Sequence, residues 1–387
     1  MATARKRWLI LLLLLVPFLA MAFQILVKNK MVDFSVNFLA AERLRAGETL
    51  YRVADGHYQF KYMPFSAFLY LPLTPLPLPA AKAVWYSLVI VSSVLIFYLS
   101  AKLIRPEKRK MLPALFLTAL VLGRYFLREI QLGQINALIT ALLLLMVVAL
   151  DASERSGPKR TGTQGGSGVC WGLATALKPY ALIYFPYFLL KKRWLLLAGG
   201  LSVLGLAVLA PSLFYGPRGN VVVLEEWWST LSASTPSLLT SQDNVSLMGL
   251  LAKWTGRQNV ALAAYLFILA ALAVLVLVLL HRGRGIARPF VLETFILLAL
   301  IPLVSPLGWD YTLLAAAPAV MLITCHLDKL SPAARGFLYV DFAVIGLSLY
   351  DLMGRALYSR FMASSAITLC FMILIGYLCH LRFKRYV

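Results

Sequence analysis

Apolar runs about as long as a bilayer is thick recur from one end of this 387-residue chain to the other. A spanning helix needs about 20 such residues. Hydrophobic residues make up 61% of the chain and charged ones 14%, more apolar sequence than soluble cores can absorb. In lipid every backbone N–H and C=O must find its partner internally, and among unclosed structures only the helix provides that. The expected fold is therefore all-α: a polytopic transmembrane helical protein in which residues 1–387 form a single integral membrane domain.

The formal net charge of +21 raises the possibility of a nucleic-acid partner. Its distribution excludes that, because Lys and Arg sit in short loops between apolar runs, at 5–7, 105–110, 191–193, 282–288 and 382–385. Basic loops of this kind are retained in the cytoplasm beside anionic headgroups. Both termini are then cytoplasmic, and the expected location is a bacterial plasma membrane. Spans are expected at 8–27, 80–104, 111–127, 135–150, 194–214, 260–280, 290–304, 311–326, 337–350 and 361–380, about ten full crossings. Residues 5–22 resemble a secretion signal, but the apolar run continues through Val27, so the segment is expected to stay as a span.

Two apolar stretches do not suit a regular helix. Residues 64–79 contain Pro72, Pro75, Pro77 and Pro79, and 169–190 are interrupted at Lys178-Pro179. Proline removes a helix hydrogen bond. Both are expected to be short, broken or re-entrant. The polar stretch 28–63 becomes a first outer loop, with Phe34, Phe38, Ala41 and Leu44 on one face of an interfacial helix that Gly47 ends. Residues 215–258 form a second outer loop. Residues 151–168, rich in Gly, Ser and Thr, read as a flexible cytoplasmic linker without the spacing of a P-loop.

Cys170, Cys325, Cys370 and Cys379 make no CxxC pair, and the four histidines show no ligand spacing. No metal or cofactor is expected.

Candidate chemistry collects on the outer side. Asp33 lies between a span and the interfacial helix, where it can serve as a general base or as the helix N-cap, the commoner use of such a residue. Arg124, Arg128 and Lys178 lie close to apolar runs, where ionisable groups expect an anionic partner. For Arg128 the alternatives to a ligand role are an ion pair with Glu129 or snorkelling to the surface. Lys178, followed by proline, is the better phosphate ligand. Gln134 and Asn136 can bind sugar hydroxyls or tie helix ends together. Tyr62, with Tyr51, Tyr58, Phe60, Trp227 and Trp228, can line a sugar or prenyl groove or form an interfacial aromatic belt.

Several stretches together resemble glycosyltransferase family 87, whose members have the GT-C membrane fold. They are Asp33-Phe34 with Ala40-Ala41 and Gly47 to Tyr51; Phe60-Lys61-Tyr62-Met63-Pro64; Gly133-Gln134-Ile135-Asn136; Gly172-Leu173-Ala174 with Lys178-Pro179; Asn244-Val245-Ser246-Leu247; and Ser305-Pro306-Leu307-Gly308-Trp309. The resemblance implies a hexosyltransferase that moves a sugar, with inversion, from a polyprenyl-phosphate donor to an acceptor hydroxyl on the outer face of the membrane. Asp33 is then the base, and Lys178, Arg128, Gln134, Asn136, Tyr62, Asn244, Trp309 and Asp310 the substrate-binding set. The acceptor would be a glycolipid or polysaccharide, with the lipid-linked donor as substrate rather than cofactor. Mannosyltransferases of the family often carry histidines after the Ser-Pro-x-x-Trp motif. Here Asp310, Tyr311 and Thr312 stand there, so a mannose donor is not carried over. The alternative reading is a lipid or sugar transporter without bond chemistry, which expects paired interrupted helices in two related halves.

Overall fold

The computed structural model describes residues 17–105, 107–156, 161–286 and 288–387. Among these there is no β-strand, and the single antiparallel bridge joins Asn244 to Trp309. The expected 8–27 span is described only from Pro17, as the short apolar helix α1, Pro17–Val27.

Helix α2 (Val32–Ala46) follows, ended by Gly47 at φ 68°. Met31, not Asp33, occupies its N-cap, so Asp33 lies inside the first turn and its side chain is not a cap. A ten-residue 3-10 helix, Pro64–Leu73, fills the proline-rich stretch expected to be short. Then come the long helices α3 (Leu78–Ile104), α4 (Lys108–Leu132) and α5 (Asn136–Ser156).

Helix α6 (Thr161–Leu177) breaks at Lys178, whose backbone is extended, and resumes as a 3-10 turn, Pro179–Ile183, and α7 (Tyr184–Leu190). Of the expected flexible linker, residues 157–160 lie outside the described residues and both flanks are helical. From Gly165 on, this stretch continues α6, which packs against α5 and the helix Trp194–Leu209 rather than leaving the bundle.

Helices α8 (Trp194–Leu209) and α9 (Ser212–Leu238) meet at 86°. α9 and α10 (Leu247–Thr255) occupy most of the expected second outer loop, which is therefore helical. α11 (Gln258–Arg282), α12 (Pro289–Val304), a 3-10 turn at Asp310–Ala316 and α13 (Ala317–Cys325) lead to a second bent pair. There α14 (Pro332–Leu347) and α15 (Tyr350–Ala363) meet at 98°, before the final α16 (Ala366–Phe383).

Five described helices are long and apolar enough to cross a membrane, or up to seven if each bent pair is one span. About ten were expected. The difference falls largely on runs that form shorter helices, such as Pro289–Val304 and Asp310–Cys325, where prolines and the Ser305–Trp309 turn interrupt the ladder. The chain is an integral membrane protein.

Polar residues divide between the two ends of this bundle. Asp151, near the end of α5, takes Arg105 at 3.1 Å and Arg288 at 2.8 Å, which fastens two basic connections to that helix. At the opposite end of α5 begins the segment that carries the candidate site.

Candidate active site

The site is built on the α4–α5 turn. Gly133 caps α4 at φ 69°, a conformation most residues resist. A methyl group there would lie 2.6 Å from the Phe34 Cβ. Only glycine lets α2 approach so closely. The Met31 N–H fastens that approach by donating to the Gln131 carbonyl at 2.7 Å, and from α3 the Trp85 indole holds the turn by donating to the Gly133 carbonyl at 2.9 Å. Phe34, Tyr70 and Trp85 pack ring on ring beneath, Tyr70 and Trp85 with centroids 4.4 Å apart.

This contact delivers Asp33 to Gln134. The Gln134 Nε2 donates to Asp33 Oδ2 at 2.6 Å and to the Tyr311 hydroxyl at 3.1 Å. Its Oε1 accepts from the Tyr62 hydroxyl and the Lys178 ammonium, both at 3.1 Å. One amide thus holds a carboxylate on one side and a cation on the other. Asp33 is half-buried, and no described residue donates to its Oδ1. Tyr62 is pushed above the ordinary phenol value by burial, so it remains an O–H donor.

Lys178 is positioned by the break after α6. Its Nζ also donates to Asn136 Oδ1 at 2.9 Å, and the rings of Tyr62, Tyr311 and Tyr180 lie 5.0, 5.8 and 5.9 Å away. The break itself is fixed by the Trp171 indole, which donates to the Ala181 carbonyl at 2.9 Å. Asn136 is held in turn by Glu129, whose two oxygens accept from the Asn136 amide and the Ala137 N–H, both at 2.8 Å. Glu129 is fully buried.

Arg128 is placed elsewhere than beside Glu129. Adjacent helix residues point about 100° apart, and Arg128 pairs with Asp243 at 2.7 Å and Asp310 at 3.1 Å. Arg124, one turn earlier, lies 3.8 Å from Asp310 and donates to the Ser348 hydroxyl at 2.6 Å and to Tyr358 at 3.1 Å. This charged wall adjoins the amide network through two sequence-adjacent pairs, Arg128/Glu129 and Asp310/Tyr311.

Asn244 is spent on architecture. Its amide donates to the carbonyls of Leu239 and Pro306 and accepts from the N–H groups of Ser246 and Gly308. Gly308 fits because a Cβ there would strike the Pro302 carbonyl at 1.9 Å. Trp309, half-buried, pairs with Asn244 in the β-bridge, and the Asp310 N–H reaches the Asp243 carbonyl at 3.1 Å.

So Asp33, Tyr62, Gln134, Asn136 and Lys178 share one network, Arg128 and Asp310 an adjoining one, and Asn244 and Trp309 the loop joint behind them. Sequence reasoning missed Glu129, Tyr180 and Tyr311 as members of the network. An acid just past the end of an apolar run, three residues before the end of α4, was the available signal for Glu129. No three His, Cys, Asp or Glu side chains converge as on a metal ion among the described residues.

The sequence profile of glycosyltransferase family 87 matches residues 60–306, which contain every member of this network except Asp33 and Tyr311. The chain belongs to glycosyltransferase family 87. No curated protein matches it. Among solved structures, this family 87 chain is similar to ArnT from Cupriavidus metallidurans at 15% identity. The apo crystal structure has a TM-score of 0.42, with 99% of this chain and 78% of that one covered. The ArnT structure bound to undecaprenyl phosphate has a TM-score of 0.41, with 98% and 78% covered.

Proposed function

We propose that this membrane glycosyltransferase moves a hexosyl unit, with inversion, from a polyprenyl-phosphate donor to an acceptor hydroxyl, with Asp33 as the base. The observation that carries the proposal is the single Gln134 amide that bonds Asp33 on one side and Lys178 on the other. Sugar transfer needs one carboxylate for the acceptor proton and one cation for the departing phosphate. Here a rigid group sets them at a fixed separation.

In the proposed step the acceptor oxygen forms a bond to the anomeric carbon while its proton passes to Asp33. The bond from that carbon to the phosphate oxygen breaks on the opposite face, and the electron pair stays with the phosphate. We assign the phosphate to Lys178 before Arg128. Lys178 is met by neutral amide oxygens, whereas Arg128 already faces two aspartates. A buried cation with neutral partners meets developing charge more strongly than one already neutralised. The proposed acceptor is a glycolipid or polysaccharide, and the basic-loop rule assigns the site, at the end of the bundle away from those loops, to the outer face.

The test is transfer from a panel of radiolabelled polyprenyl-phosphate hexoses and pentoses into a membrane lipid extract, with purified wild type and Asp33→Asn in parallel. Wild type transfers a hexose, and the variant is slower by at least about 100-fold, the smaller end of what a general base supplies, with unchanged membrane-inserted yield. Normal turnover by Asp33→Asn would falsify the base assignment. Transfer of a pentose alone overturns the hexosyl reading.

A further inference from the structure

A cleft of about 570 Å³ opens between α14 and α16 at the basic end of the bundle. Helix α16 begins near the site, where Thr368 donates to the Val245 carbonyl at 2.9 Å. It runs 18 residues, about 27 Å, to the basic residues at its other end. The cleft is thus separated from the amide network by most of the thickness of a membrane.

Its lining has two parts. Phe337, Ile373 and Tyr377 wall a trench along the helices, and Gly376 leaves it open, with no atom within 4 Å of where its Cβ would stand. Lys329, His380 and Lys384 stand at the mouth, and no acid lines the cleft. All three are exposed. Asp328, the acid beside Lys329, is drawn 3.0 Å from Lys110 and lies 3.9 Å from Lys329. The Lys384 ammonium has no hydrogen bond or ion pair among the described residues.

The other side of α14 makes a useful contrast. A second cleft there is lined by Arg109, Lys110, Phe116 and Tyr339. Its cations are already answered, Arg109 by Glu107 at 2.8 Å and Lys110 by Asp328. An ammonium without an ion pair, Lys384, over an apolar trench with no acid in its lining is what the α14–α16 cleft has and the second cleft lacks.

We propose that this cleft binds an acidic glycerophospholipid, with its phosphate between Lys329 and Lys384 and one acyl chain along the trench beside Gly376. A headgroup phosphate matches the mouth in charge, and a chain running parallel to the helices matches the trench in shape and polarity. Basic loops retained in the cytoplasm put the site in the inner leaflet, where anionic lipid is attracted to juxtamembrane lysines. Two lysines at a membrane surface supply a preference on the order of 30-fold over a zwitterionic lipid.

The experiment is lipid titration of the detergent-purified full chain by native mass spectrometry, with dioleoyl phosphatidylglycerol and dioleoyl phosphatidylcholine as probes. Wild type retains phosphatidylglycerol preferentially. Lys329→Gln/Lys384→Gln loses that preference by about tenfold or more, and a Lys108→Gln/Arg109→Gln control keeps it. Gly376→Leu, which fills the trench with the mouth intact, also weakens retention. Equal retention of the two lipids by wild type, undiminished preference in the double-lysine variant, unchanged retention by Gly376→Leu, or full displacement by inorganic phosphate each overturns the proposal.

Discussion

Glu129 shows how much a single buried acid can set in this site. Both of its oxygens are occupied by N–H donors, and that fixes which end of the Asn136 amide faces Lys178. In Glu129→Gln one oxygen becomes an amide nitrogen and confronts a donor. Leaving a buried donor unpaired costs about 1–3 kcal/mol. The variant is expected to unfold at a lower temperature and to show a raised donor KM, because Lys178 loses its fixed partner. A donor KM equal to wild type would mean that Glu129 serves the fold alone. Gln134→Leu is the harsher change: it strips partners from Asp33, Tyr62, Tyr311 and Lys178 together, and the expected result is loss of transfer with a poorly folded protein.

Elements meet at the site because one residue permits it. Gly133→Ala puts a methyl group into Phe34 and asks alanine for a positive φ. The stability cost is expected to exceed about 1 kcal/mol, and α2 moves away, carrying Asp33 from Gln134. Transfer should therefore fall much further than the thermal midpoint does; a variant with lowered stability and full activity would show that the α2–α4 contact is not what delivers the acid. α2 is also tied at its other end. Arg43 grips Asp55 through two bonds of 2.5 and 2.9 Å across the turn after the helix. The bond from Arg43 holds the Asp55 carboxyl below its ordinary value. A carboxylate with a depressed folded pKa contributes stability above its unfolded value, near 4, and loses it as pH falls through the folded value. Thermal melting of wild type and Asp55→Asn should thus differ at neutral pH and converge in acid below about pH 4. A constant difference across that range would remove the ion pair as its cause.

At the scale of the whole molecule, polar networks close both ends of the bundle: Asp33, Glu129, Asp243 and Asp310 lie at one end with Lys178, Arg124 and Arg128, and the basic loops with Arg105, Arg155, Arg288 and Arg382 lie at the other around Asp151 and Glu293. The basic-loop rule predicts that these ends face opposite sides of the membrane. Single cysteines placed at Asp55 and Arg385 in a variant lacking Cys170, Cys325, Cys370 and Cys379 should react with an impermeant maleimide from opposite sides of oriented vesicles. Labelling of both from one side would contradict the sidedness on which an outer-face site depends.

The hydrophobic runs by themselves determined that this chain is helical and lives in a membrane, since no other backbone arrangement satisfies unclosed peptide groups in lipid. Local chemistry likewise settled the breaks at Lys178-Pro179 and along residues 64–79, because proline acts on its own turn. Gly47 was readable as a helix end for the same reason. The partners inside the site were decided only by tertiary structure. Asp33 and Gln134 stand 101 residues apart, and Gln134 and Tyr311 177. Arg128 and Glu129 are neighbours in sequence, yet the turn of the helix sends one to Asp243 and Asp310 and the other to Asn136. The number of spans is likewise a tertiary matter: whether an apolar run of 16 residues crosses, bends or stops depends on what packs against it. Hydropathy and proline act over a single turn or span, whereas a carboxylate finds its partner through the packing of helices distant in the chain.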